Sequence, residues 1–301
     1  MDTAKTIVVG NKSYRPLLDE HLIPEDIRKA REELNETENS RVAVLKAFKE
    51  KLSQEKEYVP RTDDIYVLRF LRTRKFDCER SQKLMKEHYK FRAKHPAVFP
   101  APSTIEKALR ANIFNYLPHR DHLGRAIFVV KMALWDPDEI PYHEFVAVGN
   151  ILSEYVLDNP VTQINGYVGL WDFAGFSLKQ FIPFCSPKHI WLLSSLMQDR
   201  FPGRFKIAYC VNCHNLVNTA WNLFKPILKE KFRNRVKILG GDMKVLHQFF
   251  DPAILPVEFG GVQPPSDCEE IVEKVLKKEQ YFNYNRKFGY QPKDKSHSQK
   301  A

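Results

Sequence analysis

The chain has 301 residues, 43% hydrophobic and 28% charged, the balance of a folded globular protein rather than a disordered one. Lys plus Arg number 47 against 37 Asp plus Glu, and the formal charge of +10 favours an anionic partner: nucleic acid, phosphorylated lipid or an acidic membrane surface. No apolar run approaches the roughly 18 residues of a membrane-spanning helix, and residues 1–19 lack the apolar core of a secretory signal. The first third reads as helices. Pro24 opens a segment with an acidic first turn followed by bases, which suits the helix dipole. Val42, Leu45, Phe48 and Leu52 recur at helical spacing. Thr62 is placed to cap a helix over 63–71, and Asp77 to cap one running to about His95. Pro96, Pro100 and Pro102 mark a boundary near 96–103.

Beyond residue 110 the pattern changes. Short apolar runs at 125–132, 166–171, 205–211 and 236–239 read as strands. Helical segments at 141–157, 186–198 and 215–228 alternate with them, so the sequence predicts crossover units and a largely parallel sheet. Residues 285–301 are polar and basic and read as a mobile tail.

Five cysteines are few and odd in number for a disulfide scaffold, and a reduced, cytosolic setting is expected. There is no Gly-x-Gly-x-x-Gly, Walker loop, Gly-x-Ser-x-Gly or His-Glu-x-x-His. Cys210-Val211-Asn212-Cys213-His214 matches the haem-attachment pattern, but Cys210 ends an apolar strand, where a free cysteine serves as a small buried hydrophobe.

Three stretches are more specific: Leu68-Arg69-Phe70-Leu71-Arg72-Thr73-Arg74-Lys75-Phe76-Asp77, Phe224-Lys225-Pro226-Ile227-Leu228 and Ile254-Leu255-Pro256-Val257-Glu258-Phe259-Gly260-Gly261. In this order and spacing the chain resembles the CRAL-TRIO lipid-transfer family from about Ile23 to Pro265, in its alpha-tocopherol transfer protein and clavesin branch. The resemblance implies an α/β fold in three parts. A helical N-terminal domain (20–100) is followed by a lipid-binding domain (104–265) with a mainly parallel sheet, flanking helices and a mobile gate helix; a C-terminal helix and basic tail (266–301) end the chain. In the final stretch, Gly260 and Gly261 permit a close chain reversal, and Glu258 suits a buried ion pair with a base of the N-terminal helices rather than catalysis.

The implied pocket between sheet and gate holds one lipid. Its expected lining is Val146, Gly149 and Ser153 on the first crossover helix, Leu193, Leu196 and Met197 on the second, and Trp171, Phe205 and Ala208 on the strands. Each of these positions also suits plain core packing. Ser153 is the candidate for orienting a polar head, or else a helix hydroxyl bonded to its own backbone. Val146 and Gly149 stand where the tocopherol protein has an aromatic residue and a serine, which changes the pocket's shape. A lipid burying roughly 500 Å² of apolar surface gains on the order of 12 kcal/mol gross. The expected gate is Val217, Ala220, Trp221, Phe224 and Leu228, on a helix that the pattern alone reads equally as core-facing and fixed.

The resemblance also places phosphoinositide-contacting bases on Arg74, Lys83, Arg204, Lys206, Lys231 and Arg235, and Lys225, Lys229 and Arg233 would form a further ridge if 225–235 were helical. The function implied is a cytosolic transfer protein, reversibly bound to endosomal or other phosphoinositide-containing membranes, that encloses one small hydrophobic lipid (tocopherol, retinoid, carotenoid or similar). The alternative is a clavesin-like phosphoinositide-binding regulator of endosomal traffic. No enzyme activity, metal, nucleic-acid partner or cofactor beyond the lipid cargo is expected.

Overall fold

The computed structural model describes residues 5–291. A short antiparallel hairpin, β1 (Ile7–Val9) with β2 (Lys12–Tyr14), comes first and turns at Gly10 with φ +57°. The helical region follows: α1 (Pro24–Leu34), α2 (Glu38–Ser53), α3 (Asp64–Thr73) and α4 (Cys78–Lys94). Asp63, not Thr62, caps α3 by accepting from the Tyr66 amide at 3.3 Å, and Asp77 caps α4 through the Arg80 amide at 2.9 Å. The proline-rich stretch forms 3-10 turns at Pro96–Val98 and Pro102–Ile105 and leads into α5 (Glu106–Arg110).

The main sheet has the order β3-β4-β5-β6-β7. β3 (Phe114–Tyr116) is antiparallel to β4 (Ala126–Lys131), while β5 (Tyr167–Asp172), β6 (Phe205–Val211) and β7 (Val236–Ile238) run parallel to β4. Three crossovers build it: α6 (Tyr142–Leu157) with α7 (Pro160–Asn165), α8 (Leu178–Phe184) with α9 (Pro187–Asp199), and α10 (Asn215–Phe224) with α11 (Glu230–Arg233). α12 (Met243–Leu246), α13 (Glu269–Lys277) and α14 (Glu279–Asn285) complete the described helices.

Alternation along the strands sends side chains to two cores. Ala126, Phe128 and Val130 face the crossover helices, whereas Ile127, Val129, Val168 and Leu170 face a second cluster with Leu246, Phe250, Ile254, Leu255 and Phe259. The hairpin covers that rear cluster through Tyr14 and Ile7. Gly260 takes φ +71°, and a Cβ on Gly261 would overlap the Leu255 carbonyl oxygen, so this reversal needs both glycines.

The arginine-rich motif on α3 is a structural clamp. Buried Arg72 forms a fork with Glu36 (2.8 and 2.6 Å) and donates to Gln163 Oε1 at 2.8 Å. Arg69, also buried, pairs with Asp158, lies 3.6 Å from Glu154, and donates to Tyr281 Oη at 3.1 Å. The N-terminal helices, α6, α7 and α14 are thereby tied together. Glu258 does not join this clamp: it pairs with Lys131 of β4 at 3.0 Å and accepts from the Ser266 hydroxyl at 2.7 Å. The start of the expected mobile tail is docked as well. Gly289 exchanges backbone hydrogen bonds with Val59 (2.7 and 3.0 Å) and Tyr290 packs on Tyr58, while residues 292–301 lie outside the described region.

Candidate functional site

Between the front of the sheet and α6, α8, α9 and α10 lie two apolar chambers of about 750 and 690 Å³, each including space open to solvent. Trp171, Leu193, Met197 and Phe205 line both, so the chambers share one wall. A register slip shapes that wall: Tyr167 pairs with Phe205 but Val168 with Ile207. The extra residue turns the strand so that Phe205 and Ala208, three positions apart, both line the outer chamber.

All nine expected lining residues fall on these walls. Val146, Gly149, Ser153 and Leu196 face the inner chamber, Ala208 the outer, and the remaining four both. Gly149 has a local reason: a Cβ there would lie 3.1 Å from the Phe114 ring, which stacks on Phe128 at 5.1 Å between centroids. The absent side chain makes room for the aromatic lining. Ser153 Oγ accepts from the Tyr116 hydroxyl at 2.9 Å rather than bonding its own helix, and its carbonyl accepts from Tyr167 Oη at 3.1 Å. Ser153 and Tyr167 form a small polar spot on the inner chamber wall, backed by buried Tyr116.

The five expected gate residues all line the outer chamber. Their helix is shorter than expected, because α10 ends at Phe224 and the chain turns through 225–228. Val217 and Ala220 are buried, Trp221 and Phe224 half-buried, and the Phe224 ring lies 5.1 Å from Phe184 of α8. Cys210 also lines this chamber, where burial pushes its thiol up. Outward faces beside it were not among the expected site residues: Leu178 and Ile182 of α8, Leu223, and Ile227 after α10 are exposed by 42% or more. For Leu178 and Ile182 the signal was an apolar excess in 176–184 larger than one buried face requires.

The basic residues divide into two groups. Lys231 is held below its ordinary range by burial first, then by Arg235, Arg74, Lys75 and Arg80, which places these cations in one field. Lys75 and Arg80 were not among the expected six; Lys83 is exposed on α4, three residues after Arg80. The second group is Arg204 and Lys206, both paired with Glu33 of α1 (2.6 and 3.2 Å). Burial and the neighbouring Arg204 push Lys206 down to about 8. Arg235 is lowered by burial and by Arg204, joining the two groups, and donates to the Phe205 carbonyl. Lys225, Lys229 and Arg233 form no helical ridge: the chain breaks at Pro226, and Lys229 pairs with Asp199 at 2.6 Å. Repulsion among desolvated cations is relieved when an anion binds them.

Among the described residues no cluster of His, Cys, Asp and Glu could hold a metal ion, and no helix is long and apolar enough to cross a membrane. Residues 110–261 match the family profile "CRAL/TRIO domain" and residues 44–87 the profile "CRAL/TRIO, N-terminal domain". The chain is 33% identical over 262 residues to the alpha-tocopherol transfer protein-like protein of Mus musculus, covering 85% of this chain and 75% of that one. It is 32% identical to Clavesin-1 of Pongo abelii over 272 residues (89% and 77%) and to Clavesin-2 of Homo sapiens over 260 residues (85% and 79%). The crystal structure of Sfh5 superposes with a TM-score of 0.51 at 15% identity, over 87% of this chain and 99% of that one, a likeness of fold.

Proposed function

The chain belongs to the CRAL-TRIO family of hydrophobic-ligand-binding proteins, and from that premise we propose that it encloses one small apolar lipid and exchanges it at phosphoinositide-containing membranes. The observation that carries this reading is the pair of adjoining apolar chambers, closed on one side by α10. A filled core at ordinary packing density leaves few voids larger than a water molecule, and an apolar space lined almost wholly by hydrophobic side chains between sheet and helices suits a hydrocarbon guest. Outward-facing Leu178, Ile182, Leu223 and Ile227 supply an apolar face for the membrane interface, with the Lys231 cluster nearby to meet anionic headgroups. Displacement of α10 there would open the outer chamber toward lipid. The cargo is a mostly hydrocarbon molecule with at most a small polar end, for which the Tyr116–Ser153 pair is the natural receiver.

Lys231 and Arg80 are exposed and stand outside the chambers, so Lys231→Ala with Arg80→Ala separates docking from cargo binding. Transfer of a loaded fluorescent lipid to vesicles containing a phosphatidylinositol bisphosphate should slow about tenfold, while retention of that lipid in solution stays unchanged. Equal transfer rates in the double variant and the parent would count against membrane docking through this face. A second reading, favoured by the cluster of cations around Lys231, is a phosphoinositide-binding regulator of membrane traffic without delivery. Mass spectrometry of organic extracts from purified protein decides between them: a stoichiometric neutral lipid supports transfer, and phospholipid alone supports the regulator.

A further inference from the structure

We propose that Glu33 acts as a built-in competitor at Arg204 and Lys206, two of the bases expected to contact headgroups, so that a lipid phosphate docks there only by displacing this carboxylate. The inference rests on the reading of the basic face as a membrane-docking surface. One oxygen of Glu33, Oε2, lies 2.6 Å from Arg204 Nη2 and 3.2 Å from Lys206 Nζ. A single oxygen bridging two cationic donors is the contact a phosphate oxygen makes. The burial order fits a floor and a cover: the side chains of Arg204 and Lys206 are 11% and 22% exposed, that of Glu33 42%. Arg204 is held in place independently, since its other nitrogen donates to the Ile164 carbonyl. Lys29, four residues before Glu33 on α1, is in the electrostatic range of both Glu33 and Lys206, so a third cation faces the same spot.

Among the described residues Glu33 is the one carboxylate bonded to these two bases. It carries one charge, whereas a phosphomonoester carries about −1.5 to −2 with three strong acceptor oxygens. A tethered carboxylate competes at high effective concentration, which reduces the apparent affinity for any headgroup by the fraction of molecules in which the two bases are free. The basic face would therefore engage only membranes rich in phosphorylated headgroups. Sequence patterning cannot reveal such a contact, because α1 and β6 are about 170 residues apart.

The test uses the full chain and vesicles of phosphatidylcholine with or without a phosphatidylinositol bisphosphate. Glu33→Gln removes the competitor and should tighten binding to the phosphoinositide vesicles about tenfold. Glu33→Asp keeps the net charge but shortens the reach, and should also tighten it, by roughly threefold. Glu32→Gln, on the same helix and paired only with Arg28 among the described residues, adds the same charge as Glu33→Gln and measures the general electrostatic gain, which should stay below threefold. The Glu33→Gln gain should vanish on a Lys206→Ala background. If Glu33→Gln binds no better than Glu32→Gln, or if its gain survives Lys206→Ala, the competitor inference is overturned while the docking reading stands. If the parent and every variant ignore phosphoinositide vesicles, the docking reading falls and the inference falls with it.

Discussion

Ala208→Phe is expected to give a folded protein that no longer retains lipid. Ala208 is buried on β6 and lines the outer chamber, which Val217, Ala220 and Trp221 of α10 close from the other side. A benzyl group at this position projects into the space assigned to the cargo rather than into packed atoms. The usual overpacking penalty of about 1–3 kcal/mol applies to a filled core and should be largely avoided here. Cargo loses both volume and apolar contact, so affinity should fall by more than tenfold, each decade being about 1.4 kcal/mol. Lipid recovered per chain, read with the melting temperature, checks this. Normal lipid content in a stable Ala208→Phe protein would show that the passenger lies elsewhere.

Arg72→Ala should cost far more in stability than any change on the basic face. The side chains of Arg72 and Glu36 are 3% and 6% exposed, and the guanidinium also serves Gln163. Removing one partner leaves the other charge buried and unpaired, a loss of about 3–5 kcal/mol. For a domain of 150–250 residues that is roughly 6–20 °C in melting temperature. Replacing both partners, Arg72→Met with Glu36→Leu, should recover much of the loss, because no unpaired charge remains. Thermal and urea unfolding of the two variants and the parent measure it. A single variant as stable as the parent would mean that water reaches Glu36 without cost.

Part of this molecule is readable in its linear sequence, and the reason is period. Apolar runs such as Ala126–Val130 and Tyr167–Leu170 are buried on both faces of a parallel sheet and leave an unbroken hydrophobic signal. Strand β3 has only Phe114, Asn115 and Tyr116, and the hairpin only three residues per strand, too few for alternation to register. The reach of the gate helix was overestimated because Phe224 and Leu228 keep helical spacing across Pro226, although the backbone between them has already turned away. Pairings were the least accessible. Glu258 chose Lys131 on the sheet, and the N-terminal arginines chose Glu36, Glu154 and Asp158. These choices depend on which elements the topology brings side by side. The chamber walls were legible as a set from the family resemblance, while the bonding of Ser153 to Tyr116 needed β3 to be in place.

Helix α10 contains no ionisable side chain from Asn215 to Phe224. Its seat on the chamber is therefore governed by solvent exclusion, which has no preferred direction, weakens on cooling and is little affected by moderate salt. Attraction between the cationic surface and a bilayer behaves oppositely, fading as the Debye length shrinks toward ~8 Å at physiological ionic strength. In the proposed cycle, arrival at a membrane and the unlatching of the door answer to different physical variables, ionic strength for the first and temperature for the second. On the proposed reading, where the protein lands is thus separable from how tightly it holds its passenger.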